Sequence, residues 1–116
     1  MYTRILVPLD GSETAECVFP TLRWLTHVSS VNEIVFVRVV EPFHAGRGVE
    51  GSIPPEEREH LEEDAHQLAL EYLDRITAEF ETPGTKVRKV VLEGKTAGSI
   101  GKYVTECDVD LILMAT

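Results

Sequence analysis

Four short apolar runs, separated by amphipathic stretches, organise this chain. Arg4–Leu9 (R-I-L-V-P-L), Glu33–Val40 (E-I-V-F-V-R-V-V), Lys86–Leu92 and Asp110–Ala115 (D-L-I-L-M-A) are rich in branched aliphatic residues. That length and composition predict buried β-strands. Pro8 cannot donate to a ladder, so it belongs at the end of the first strand. Between the first two strands, Ala15, Val18, Phe19, Leu22 and Leu25 recur at helical spacing. Ser12 suits the cap of that helix and Glu13 its positive end. Pro20 falls inside the pattern and is expected to kink the helix or remove one bond.

A long helix is predicted from Pro54-Pro55 onward, where proline and acidic residues suit a first turn. Its apolar stripe is Leu61, Ala65, Leu68, Ala69, Tyr72, Leu73, Ile76 and Phe80. Glu62 and Glu63 fall on the opposite, solvated face. Thr82–Thr85 reads as a loop. Thr96 is expected to cap a third helix holding Ala97, Ile100 and Val104. Gly98 and Gly101 weaken it, each by about 1 kcal/mol against alanine. The order β-α-β-α-β-α-β, with continuous apolar strands, predicts a parallel sheet covered by helices on both faces.

A length of 116 residues fits one domain spanning residues 1–116. With 43% hydrophobic and 27% charged residues, the composition is that of a globular chain able to bury a core. The net charge of −9 argues against nucleic acid as a partner, since phosphate backbones would be repelled. A small anionic ligand needs only local N–H groups and is still allowed. No apolar run approaches the ~20 residues that span a bilayer, so no membrane association is expected. Cys17 and Cys107 form no C-x-x-C pair and are read as two buried free thiols. A reducing, cytoplasmic location follows as an expectation.

Several motifs fail on their surroundings. Gly46-Arg47-Gly48-Val49-Glu50-Gly51 matches G-x-G-x-x-G. A dinucleotide fingerprint must follow a strand directly and open a helix. Here Pro42–Ala45 intervenes and Pro54-Pro55 follows, so the segment is read as a loop. Gly94-Lys95-Thr96 resembles the end of a P-loop, but the position five before Gly94 is Lys89, not glycine. His27, His44, His60 and His66 show no metal-binding spacing. Ser12 has no nucleophile elbow. No catalytic set emerges, so the residues alone predict no enzyme. The strongest position is Asp10, at the carboxyl end of the first strand, where ligands bind in open α/β sheets. Its carboxylate can accept hydrogen bonds from a ribose or a purine amine, or close its own turn.

Ile5-Leu6-Val7-Pro8-Leu9-Asp10-Gly11-Ser12-Glu13 resembles the opening of universal stress proteins. Val37-Arg38-Val39-Val40 is similar to that family's second strand. Gly94 before Ala97 and Ile100, then Asp110–Thr116, are similar to its third-helix and fourth-strand segments. The resemblance implies a Rossmann-like three-layer α/β/α fold with strand order 3-2-1-4-5, usually as a homodimer. It implies a stress-response role, with ATP and magnesium bound in one branch of the family and no nucleotide in another. Enzymatic activity would amount at most to weak ATP hydrolysis. The family's nucleoside contacts carry over to Pro8, Leu9, Asp10, Val39, Met114 and Ala115. The binders' phosphate loop, G-x2-G-x9-G-[S/T], would begin at Ala115, where alanine replaces the first glycine. The rest of that loop, a fourth helix and a fifth strand would lie beyond Thr116, so the domain is expected to be C-terminally incomplete. The same fold acting through dimerisation or a protein partner is the alternative reading.

Overall fold

The computed structural model of the chain describes residues 2–10, 13–40 and 55–115. The glycine-rich Gly46–Gly51 segment, Ser12 and His44 lie outside them. The elements are β1 (Tyr2–Pro8), α1 (Glu13–Glu16), α2 (Phe19–Val28), β2 (Val31–Val40), α3 (Pro55–Phe80), β3 (Lys86–Glu93), α4 (Thr96–Glu106) and β4 (Leu111–Ile112). The strands form one parallel sheet in the order β3-β2-β1-β4. This is the expected α/β architecture.

Side-chain alternation along β1 and β2 feeds two cores, one on each face of the sheet. Ile5, Val7, Ile34 and Phe36 meet Phe19 and Leu22 of α2 and Leu73 and Ile76 of α3. Leu6, Val35 and Val37 point the other way and meet Ile100 of α4. Right-handed crossovers require this split once the chain reverses its direction of travel across the sheet. Phe19, Phe36 and Phe80 join α2, β2 and α3 through ring contacts of 5.1 to 6.2 Å between centroids. Such edge and tilted pairs add about 0.5–1.5 kcal/mol each beyond area burial.

Arg4 is tolerated near the start of β1, ahead of its apolar run, because it has partners. Its Nε donates to Glu33 on β2 at 3.1 Å, and its guanidinium also donates to the carbonyl of Cys107, just past α4. Arg88 on β3 lies 3.5 Å from the same Glu33 carboxylate. One buried acid thus links three strands at their amino ends.

Several expectations change. Pro20 does not kink one helix; it starts a second. The chain turns at Cys17-Val18, and Pro20 sits in the first turn of α2, where its missing N–H costs nothing. Leu68 is 62% exposed rather than part of the stripe. It stands about 100° round the helix from buried Ala69, off the centre of the face. Lys95, not Thr96, is the N-cap residue of α4, and the Lys95 side chain makes no capping hydrogen bond. Both cysteines are free, as expected, but Cys17 is exposed in the α1–α2 turn and Cys107 only half-buried. β4 is shorter than predicted, although Asp110 and Leu113 amides still donate to the Arg4 and Leu6 carbonyls of β1.

Gly94 does the work of a turn. Its φ of +127° swings the chain from β3 into α4, and a Cβ there would stand 2.9 Å from Ser99 Oγ. No described helix is long and apolar enough to cross a membrane.

Candidate functional site

The strand order places β1 between β2 and β4. From β1 the chain moves outward to β2 and β3, then returns across the sheet to β4. The reversal opens a crevice at the carboxyl ends of β1 and β4, where an α/β sheet has room for a ligand. The structure has a cavity of about 170 Å³ there, lined by Pro8, Leu9, Asp10, Ala15, Val37, Val39, Ile100, Met114 and Ala115. All six residues singled out from the sequence are in this lining. Its volume is below the roughly 300–1,000 Å³ of drug-sized ligand pockets, so it suits part of such a ligand.

Each wall has a local cause. Pro8 ends β1, and the next amide, Leu9, donates to the Val37 carbonyl at 2.8 Å. That bond keeps the chain on the sheet for one more residue and delivers Asp10 to the rim, where it is exposed. Val37 and Val39 are two apart on β2 and therefore share a face. Ile100 approaches from α4, and Met114 and Ala115 follow β4. The walls are apolar, and Asp10 is the charged member among the described lining residues.

Three lining residues were not singled out as site residues from the sequence: Ala15, Val37 and Ile100. Val37 could have been inferred from its alternation with Val39. Ala15 and Ile100 could not, because helix periodicity places them in the core but says nothing of which strand end they cover.

Behind Asp10, on the α3 face of the sheet, lies a second polar group. Tyr72 is 7% exposed, and its hydroxyl is buried beside Glu16. The Arg38 and Arg75 guanidinium carbons stand 5.3 and 5.6 Å from its ring centre. Burial first, then the facing Glu16 carboxylate, push the phenol's pKa well above its ordinary value; Asp10 adds to this and Arg38 opposes it. Glu16, Asp10 and Tyr72 therefore form one electrostatic neighbourhood. Among the described residues no group of three His, Cys, Asp or Glu side chains could hold a metal ion.

Comparison with solved structures gives the same architecture. Universal stress protein UspA from Lactobacillus plantarum superposes with a TM-score of 0.78 at 18% identity, covering 97% of this chain and 75% of that one. A universal stress protein family member from Burkholderia pseudomallei gives 0.67 at 25% identity, covering 99% and 82%. A universal stress protein in complex with cAMP gives 0.57 at 16% identity, covering 97% and 75%. No curated protein matches the chain. The family model described as the universal stress protein family matches residues 1–116, so the chain belongs to that family.

Proposed function

We propose that this protein is a stress-response regulatory domain that binds an adenine nucleotide in the crevice beside Asp10. The carrying observation is a cavity with apolar walls and a carboxylate on its rim, at the point where strand order reverses. The walls fit a purine base, and Asp10 fits the hydroxyls of a ribose as a hydrogen-bond acceptor. The cAMP complex of a protein with this fold supports the same ligand class. The described lining residues, apolar walls with Asp10 on the rim, fit the nucleoside half of ATP. The two free cysteines, Cys17 and Cys107, suit the cytoplasm.

Calorimetric titration with ATP and magnesium tests the reading. Binding is expected, and Asp10→Ala is expected to weaken it at least tenfold, the scale of a lost hydrogen bond to a charged group at about 1.5–3 kcal/mol. Absence of heat from a folded protein at high concentration would overturn it.

A second reading is a module that acts by self-association. It is favoured by the outer side of β4, which has no strand partner among the described residues and carries exposed Ile112 and Met114. A homodimer through this edge is compatible with nucleotide binding.

A further inference from the structure

β3 is an outer strand of the sheet. Outer strands are usually guarded by being short, by a bulge or by proline. β3 uses none of these. It runs eight residues, K-V-R-K-V-V-L-E, and pairs with β2 at every position from Glu33↔Lys86 to Val40↔Glu93. A parallel neighbour on one side uses half of a strand's backbone groups. The other half of β3's groups meet no strand among the described residues.

The edge is guarded instead by charge of one sign. Lys86, Arg88 and Lys89 fall within four positions of a chain whose net charge is −9. Asp74 of α3 pairs with Lys89. Lys86 and Arg88 lie two apart and so share a face, with Glu33 of β2 directly opposite Lys86. Glu33 accepts from Arg4 at 3.1 Å and lies 3.5 Å from Arg88, so one carboxylate already serves two guanidinium groups. Such an edge repels a copy of itself and attracts acids at a matching spacing. Lys86 and Arg88 are about 6.6 Å apart along the strand, the distance between alternate residues of any strand laid beside them. On the other face, half-buried Val87 and Val91 pack against the core.

We propose that the β3 edge is a docking site for an extended segment of a partner protein, with acidic residues at alternate positions and apolar residues between them. The segment lengthens the sheet by one strand. Its acids face Lys86 and Arg88, and its apolar residues continue the layer of Val87 and Val91. Pairing in either direction keeps alternate residues on one face. β3 and β4 are opposite edges of the sheet, so this site is separate from the crevice and does not rest on the nucleotide reading.

The probe is a fluorescein-labelled hexapeptide of alternating Glu and Val, followed by anisotropy at low and high salt. Saturable binding that weakens with salt is expected. The counterpart of alternating Lys and Val is expected to bind at least about tenfold more weakly, the scale of two cross-strand charge pairs. Two further Glu/Val peptides are N-methylated, one at every Glu and one at every Val. One of the two should lose binding, because the residues whose N–H groups face β3 alternate. Lys86→Gln is expected to weaken the Glu/Val peptide about threefold, and Lys86→Gln with Arg88→Gln about tenfold, both variants unfolding cooperatively. Amide exchange should slow along Lys86–Leu92 on binding and stay unchanged at Leu111–Leu113. No saturable binding, equal binding of the Lys/Val peptide, binding kept by both methylated peptides, unchanged affinity in the folded variants, or protection at β4 instead would each overturn the proposal.

Discussion

Asp110 shows how one exposed side chain can organise a strand junction. Its Oδ2 accepts from the Arg4 amide at 2.9 Å and the Thr3 amide at 2.6 Å, tying the entry of β4 to the start of β1. The Arg4 bond, then the Thr3 bond, hold its carboxyl below the usual aspartate range. A pKa depressed by folding stabilises the native state above the unfolded-state value and loses that effect as pH falls through the folded value. Asp110→Ala is therefore expected to unfold at lower denaturant than the unaltered protein at pH 7. The gap should narrow as pH drops below about 4, near the ordinary aspartate pKa. Denaturant midpoints across pH 3–7 check this, and a pH-independent gap would contradict it. The same scale shows what the sequence could reveal. Asp10 was legible because a strand, a proline and a turn point to it. Tyr72 was legible only as one more position on an apolar stripe, since periodicity reports which face a ring occupies and not what its hydroxyl meets.

At the scale of elements, α4 is under-optimised. Gly98 and Gly101 lie within it, and a Cβ at either would meet nothing within 4 Å. At the far end, Asp108 holds a φ of +52°, and the Val109 amide donates to the Val104 carbonyl at 3.4 Å. That is the bond pattern of a helix closed by a left-handed residue, a place glycine fills without strain. Gly98→Ala and Asp108→Gly are each expected to add about 1 kcal/mol of stability, read as a raised denaturant midpoint. A fall in either variant would show that these backbones matter for something other than helix formation. Strand positions were legible because continuous aliphatic runs leave little else to form. Helix ends were less so. Pro20 reads as a kink inside one pattern, but the chain resolved the missing hydrogen bond by breaking α1 from α2. Thr96 reads as a cap because threonine often is one, yet Lys95 holds the extended conformation before the first turn.

Among the described residues, the sheet has two unlike edges. β3 presents exposed Lys86, Arg88 and Lys89, charges that discourage addition of a second β3. β4 presents an apolar run with Ile112 39% exposed and Met114 50% exposed. Self-association is accordingly expected at β4 rather than β3. Sedimentation velocity should show association that rises with concentration and is reduced by Ile112→Lys. Equal association in that variant would direct attention elsewhere, for instance to Trp24 and Val28, exposed on α2. Strand order could not be read from periodicity, which is the same for a central and an outer parallel strand. It followed from family likeness, and the crevice followed from strand order.

The ladder between β1 and β4 is thin. It pairs Ile5 with Leu111 and Leu6 with Ile112, whereas β2 runs beside β3 from Glu33 to Val40. The wall formed by Met114 and Ala115 thus hangs from the part of the sheet with the fewest bonds to lose. Whatever fraction of molecules has β4 undocked lacks that wall, and apparent affinity falls by the same fraction. A nucleotide would in turn act as a clasp on the chain's last described strand. Amide hydrogen exchange at Leu111–Leu113 should slow when magnesium-ATP is added, while exchange deep in β2 stays as it was.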